Sequence, residues 1–272
     1  MDVSGKIHFA ALSDAGIKRP HNEDAVGQRV DRGVVVLADG MGGCRAGEVA
    51  SKIAVNTLLE SLSQLAESTD FDTQTEEDSE PSSLLTACRE AVIDCNQVIY
   101  HTAKSQPQYQ GMGTTLTCAL FYDNRIIYSH VGDSRIYRYR DGEMAQLTTD
   151  HTVAQEFIER GLTSPDGPQP PSNLITRALG VDSDVDPSMG ESEVLVDDIY
   201  LFCSDGLHDM IPDTEIQLTL QDNAAGVDHT AEKLIDLANS YGGNDNVSVI
   251  VANVVKPYPY KPIWYQKLAN WL

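Results

Sequence analysis

The chain has 272 residues, 41% hydrophobic and 22% charged, enough to bury a sizeable core in one large domain or two small ones. Its 41 acidic against 19 basic residues give a net charge of −22, which excludes nonspecific nucleic-acid binding because no basic stripe offsets phosphate repulsion. No run approaches the roughly 18 apolar residues of a membrane span, and the start MDVSGKIHFAALSDAG lacks the pattern of a signal peptide, so a cytoplasmic protein is expected.

KIHFAAL opens the chain as a strand, and RPHNEDAV lies on the segment entering the second strand, GVVVLAD, with Arg19 five residues before Asp24. A guanidinium fork suits phosphate oxygens, although an exposed Arg19 paired with Glu23 is the plainer reading. GVVVLAD reads as a strand buried on both faces, yet it runs into Asp39 and the glycines Gly40, Gly42 and Gly43. Either Asp39 opens a tight turn, or something charged sits there and bare backbone lets it come close.

A helix follows from about Ala46 to Leu65, with Val49, Ile53, Leu58, Leu62 and Leu65 on roughly one face. Residues 67–83 are acidic and polar and read as a solvated loop. The next helix carries the stripe Leu85, Cys88, Val92, Cys95 and Ile99, where the cysteines act as small buried hydrophobes. Five cysteines without a C-x-x-C pair indicate neither a disulfide framework nor a zinc site.

TLTCALFYD and RIIYSHVGD form a hairpin at Asp123-Asn124, and SRIYRYR turns back at Asp141-Gly142, so the pairing is antiparallel. Residues 161–173, with four prolines and two glycines, are a surface excursion. The strand IYLFCSD runs to Asp205. A third helix, with Val227, Ala231, Leu234, Ala238 and Tyr241, stops at Gly242-Gly243. NVSVIVANVV is the last strand, and the aromatic tail KPYPYKPIWYQKLANWL packs back on the domain.

Asp39, Asp133 and Asp205 close strands, and Asp245 lies just before one. Each alone is more often a turn former than a ligand. Four on one plan point to sheet ends that gather distant carboxylates into one cleft. Like charges so placed need protons or cations. Oxygen donors without paired His or Cys suit Mg²⁺ or Mn²⁺. Two such ions about 3.5–4 Å apart can activate a bridging water for in-line attack at phosphorus.

The motifs R-x-x-N-E-D, V-x-A-D-G-M-G-G, G-M-G-T-T, V-G-D-S-R-x-Y, D-H-T, I-T-R-A-L-G, S-D-G-L and N-D-N-V-S occur in one order. In this the chain resembles the bacterial branch of the PPM (protein phosphatase 2C) family, over about residues 5 to 255. The resemblance implies an α+β fold, an αββα four-layer sandwich of two central antiparallel sheets flanked by helix pairs. It implies a phosphatase domain over 1–256 with a tail at 257–272. The implied chemistry is hydrolysis of phosphoserine or phosphothreonine by a water bridging two Mn²⁺ or Mg²⁺ ions, without a phosphoenzyme. By the same resemblance Asp39 bridges both ions, the Gly40 carbonyl binds the second, and Asp205 and Asp245 complete the first. Asp24 and Glu23 hold waters of the second ion, Asp133 shares a third, looser ion with Asp205, and Arg19 binds the phosphate. Thr114, Asn246 and Arg177 are read as structural supports.

Two residues depart from relatives: Met41 and Cys44 stand where histidines are found, so a proton donor for the leaving group is not assigned. Residues 161–173 fall at the family's flap, which leaves substrate preference untransferred. The expected partners are phosphoprotein substrates and a Ser/Thr kinase, with the chain a monomer. The alternatives are a catalytically silent phosphoprotein- or kinase-binding regulator and, more distantly, a phosphatase of a small metabolite or an anti-sigma-type partner.

Overall fold

The computed structural model of the protein describes residues 2–42, 46–68, 82–162 and 174–259. Cys44, most of the acidic loop, most of the Pro-rich excursion and the tail beyond 259 lie outside the described residues.

Two antiparallel sheets face each other. The first has the order β1 (Ile7–Asp14), β11 (Val247–Val254), β10 (Ile199–Cys203), β7 (Arg135–Arg140), β8 (Glu143–Gln146). The second has the order β2 (Asp24–Arg29), β3 (Val34–Met41), β5 (Leu116–Tyr122), β6 (Arg125–Val131), β9 (Ser188–Glu193), with the two-residue β4 (Gly113–Thr114) beside the end of β3. Asp123 and Asn124 both have positive φ, 42° and 56°, which closes the β5–β6 hairpin as the sequence leads one to expect.

The alternation of side chains along each strand builds the layers. In β3, Val34, Val36 and Ala38 face the helices α1 (Ala46–Ser68) and α2 (Ser83–Ser105), while Val35 and Leu37 face the other sheet. A strand covered on both sides must be apolar at every position, which is why VVVLA shows no polar alternation. On the first sheet, Leu201, Val249 and Val251 meet Leu207 of α4 (Asp205–His208), Ile216 of α5 (Asp213–Gln221) and Leu234 of α6 (Val227–Ser240). Tyr200, Phe202, Ile250 and Ala252 fill the space between the sheets with Phe121 and Leu37. The result is the expected four-layer αββα sandwich.

The helices expected around the Cys88/Cys95 stripe and around Leu234 are present, and Gly243 accepts φ +49° where the latter ends. Helix α3 (Val153–Glu159), α5 and the edge strands β2 and β9 are additions to the sequence reading. At the start of the aromatic tail Tyr258 is buried, its N–H donating to Asn124 Oδ1 over 2.6 Å.

Candidate metal centre

The same alternation aims the acidic residues. Asp39 continues the face of Val35 and Leu37, the face turned toward the other sheet. Strand β3 does not close there, contrary to the sequence reading: it runs on to Met41 because Gly40 and Met41 pair with Thr114 and Gly113. Asp205 does not end a strand either; β10 stops at Cys203 and Asp205 begins the short helix α4. Asp133 follows the left-handed Gly132, φ +97°, between β6 and β7.

Asp245 is placed by a contact between loops. The N–H groups of Ile17 and Lys18 donate to the Gly243 carbonyl over 2.9 and 3.0 Å. Asn246 pins the same loop, donating to the carbonyls of Ala15 and His21 and accepting the Glu23 N–H over 2.8 Å. Its supporting place in the sequence reading holds. Arg19 thereby meets Asp245, with Nη2 at 2.6 Å from Oδ2, rather than Glu23.

These residues line a cavity of about 680 Å³ whose walls include Arg19, Glu23, Asp39, Gly40, Asp133, Asp205 and Asp245. Asp24 is not on that wall. It lies opposite Asp39 in the β2–β3 register, buried between the sheets, with Oδ2 accepting from Ser204 and Ser248. Thr114 is a support, as expected: its hydroxyl donates to the Asp39 carbonyl over 2.8 Å. The sequence reading missed Thr115, whose N–H donates to the Asp39 carbonyl and whose Oγ1 accepts the Asp39 N–H. It missed His21 and Ile175 on the wall. It also missed His208, whose Nε2 sits 3.1 Å from the Asp133 carbonyl. Only the S-D-G-L-H-D run could have drawn notice to His208, through its neighbours.

Crowding shows in the titration of the carboxyls. Burial, then the charges of Asp24, Asp205, Asp133 and Asp245, push Asp39 well above the usual carboxylate range. Asp205 is raised to about 7 by burial and then by Asp133 and Asp245. Asp24 rises to about 6 through burial, against which the hydroxyls of Ser248 and Ser204 pull it down. Burial also raises Asp133 and Glu23.

Among the described residues no three His, Cys, Asp or Glu side chains are drawn together tightly enough to hold an ion as they stand, and Asp245 is engaged by Arg19. The donor chemistry nevertheless fits hard divalent cations. It is all oxygen, it is anionic in excess, and the buried Oδ1 atoms of Asp24 and Asp205 have no hydrogen-bond partner. Concentrated cation charge is what relieves such repulsion without protonation.

A family model described as Protein phosphatase 2C matches residues 18–233. The chain is similar to the serine/threonine protein phosphatase PstP of Mycobacterium tuberculosis, at 40% identity over 92% of this chain and 45% of PstP. The chain thus spans about half the length of that curated relative. It is also similar to the serine/threonine phosphatase stp of Listeria monocytogenes, at 35% identity over 90% of this chain and 95% of the relative. Among solved structures, the catalytic domain of PstP in complex with two manganese ions matches with a TM-score of 0.76 at 40% identity, covering 92% of this chain and 99% of that one.

Proposed function

The chain belongs to the protein phosphatase 2C family, and from that premise we propose that it is a Mn²⁺- or Mg²⁺-dependent phosphoserine/phosphothreonine protein phosphatase. The observation that carries this reading is one inter-sheet cavity walled by Asp39, Asp133, Asp205 and Asp245 with Arg19 at its edge. In the proposed roles, Asp39 bridges two ions, Asp205 and Asp245 complete the first, and the Gly40 carbonyl serves the second. Glu23 and Asp24 hold waters of the second ion, and Asp133 with Asp205 serves a third, weaker one. When bound, the ions supply Lewis-acid charge and activate water for attack at phosphorus.

The protein's own groups do the rest. The Arg19 guanidinium is about half exposed, so it can turn from Asp245 to grip phosphate oxygens in a fork. The hydrogen bonds of Thr114 and Thr115 tie the Asp39 backbone to the β4–β5 segment beside it. Met41 lines the cavity but its thioether has no proton to give; His21 and Glu23 are among the protic groups on the same wall. The natural setting of this activity is a cytoplasmic monomer that reverses a Ser/Thr kinase. The alternative of a silent binding protein draws no support from the cavity, which gathers Glu23, Asp39, Asp133, Asp205 and Asp245, with Asp24 buried behind its wall.

The test is hydrolysis of a phosphothreonine peptide with added Mn²⁺, in wild type and Asp39→Asn. Activity that requires the cation and is abolished by the substitution is expected; full activity in excess chelator would overturn the reading.

A further inference from the structure

Asp24 is buried but does not reach the cavity wall, and what surrounds it is unusual for the middle of a sandwich. Along β10 the face of Tyr200 and Phe202 continues to Ser204, and along β11 the face of Ile250 and Ala252 runs back to Ser248. Two apolar faces therefore end, at the same level, in two fully buried serines. Both hydroxyls donate to Asp24 Oδ2, Ser204 over 2.9 Å and Ser248 over 2.7 Å. The serines are themselves locked together, with Ser248 N–H donating to Ser204 Oγ over 3.0 Å and Ser204 N–H to the Ser248 carbonyl over 3.1 Å.

The grip extends outward. At 2.7 Å, Ser248 Oγ also meets the Ser13 hydroxyl. Asn22 Nδ2 donates in turn to Ser13 Oγ over 2.7 Å, and Asn22 Oδ1 accepts the Asp24 N–H over 3.1 Å. The ring Asp24, Ser248, Ser13, Asn22 crosses from one sheet to the other. Only Asp24 Oδ1 is left without a hydrogen-bond partner, on the residue that stands opposite Asp39.

A buried carboxylate with one oxygen satisfied by neutral hydroxyls is an expensive way to join two sheets, and apolar side chains of similar size would do it more cheaply. Its arrangement makes sense where the orientation of the carboxylate matters. We propose that Ser204 and Ser248 are positioning residues for the metal centre: they hold Asp24 by one oxygen so that the other is fixed toward Asp39. Residues that orient ligands from behind are common around metal sites, and their loss weakens metal affinity by roughly 10–100-fold. The inference rests on the metal-dependent reading above.

The experiment titrates the metal-free full chain with Mn²⁺ alone by calorimetry, beside its thermal unfolding. Ser248→Ala and Ser204→Ala are expected to weaken the Mn²⁺ Kd by about 10-fold or more, and Ser248→Thr, which keeps the hydroxyl, to restore most of it. Wild-type Kd in the alanine variants, with only a lower Tm, would overturn the inference while leaving the phosphatase reading intact. Failure of the wild-type chain to bind Mn²⁺ would instead count against the reading itself. Should the buried alanine variants not fold, Ser13→Ala decides, because Ser13 is exposed and lies one hydroxyl further out. A measurable weakening there supports the ring, and an unchanged Kd overturns it.

Discussion

Arg19 Nη2 lies 2.6 Å from Asp245 Oδ2, joining residues 226 positions apart at the rim of the carboxylate cavity. Both side chains are substantially exposed, 53% and 35%, so the pair contributes under about 1 kcal/mol to the fold. In the proposed role the same guanidinium leaves Asp245 to bind phosphate. Arg19→Ala should therefore lower kcat/KM on a phosphothreonine peptide by about 10–100-fold, the worth of a charge-assisted hydrogen bond, while Tm moves by less than about 4 °C. Arg19→Lys should recover only part of the loss, since an ammonium lacks the planar fork. Steady-state kinetics beside a thermal melt separates the two effects. A large fall in Tm with unchanged kinetics contradicts the assignment.

The raised carboxyls make metal-free stability depend on pH. Asp24, at about 6, and Asp205, at about 7, hold their protons more tightly in the fold than at the ordinary 3.8. The stability this lends is fully present below about pH 4 and is lost as pH rises through 6 to 7. His151 runs the other way. Burial and the stacked His130, 4.5 Å away, lower it to about 3, so its contribution falls as pH drops below its ordinary 6.5. The difference between wild type and Asp205→Asn isolates the carboxyl. In chelator, the substitution should raise Tm at pH 8 and leave it nearly unchanged at pH 4. With Mn²⁺ added at pH 8, wild type should gain stability and Asp205→Asn should gain less. Equal metal-free Tm values at pH 8 would show that Asp205 is not crowded.

Thr115 connects the proposed bridging residue, Asp39, to Ser134, the residue just before β7. Its Oγ1 accepts the Asp39 N–H and lies 2.7 Å from Ser134 Oγ, and the site is buried. Thr115→Val keeps the shape and removes the hydroxyl, leaving two buried polar groups without a partner. A loss of about 1–3 kcal/mol is expected in denaturant melts. A change within error would mean that the strands shift to re-pair those groups.

Much of this architecture is legible in the sequence because burial leaves a periodic mark. VVVLA, TLTCALFY and NVSVIVANV are covered on both faces and read as unbroken apolar runs, and α1 and α2 show their stripes. DAVGQR and SMGESE do not read as strands, because β2 and β9 are sheet edges whose residues are mostly half-buried. The acidic residues could be named individually, whereas their arrangement could not. Nothing local reveals that Arg19 meets Asp245 rather than nearby Glu23, because that contact is set by loops packing at Gly16 and Gly243. At Gly16 an added Cβ would come within 2.1 Å of the Asp245 carbonyl oxygen. Nor does local sequence place Asp24 behind the cavity wall, since its two serine partners lie on the other sheet.

The glycines beside Asp39 suggest open space for an ion or phosphate, but Gly40 answers first to packing. A Cβ on Gly40 would lie 2.2 Å from the Gly47 carbonyl oxygen and 2.5 Å from that of Glu23. A Cβ on Gly47 would lie 2.7 Å from the Gly40 carbonyl carbon and 2.9 Å from the Met41 nitrogen. Helix α1 thus touches β3 backbone to backbone, one residue beyond the proposed bridging carboxylate. Helix propensity alone favours Gly47→Ala by about 1 kcal/mol. The clash is with main-chain atoms that no rotamer change can move, and overpacking of this kind costs about 1–3 kcal/mol or more. Packing should win: Gly47→Ala is expected to lower Tm, and to weaken Mn²⁺ binding at temperatures where the protein remains folded, because moving α1 displaces Gly40 and with it Asp39. Thermal melts with calorimetric titration check both parts. A Tm equal to or above wild type would show that the helix can move off the strand freely, and that the close approach does not hold the site.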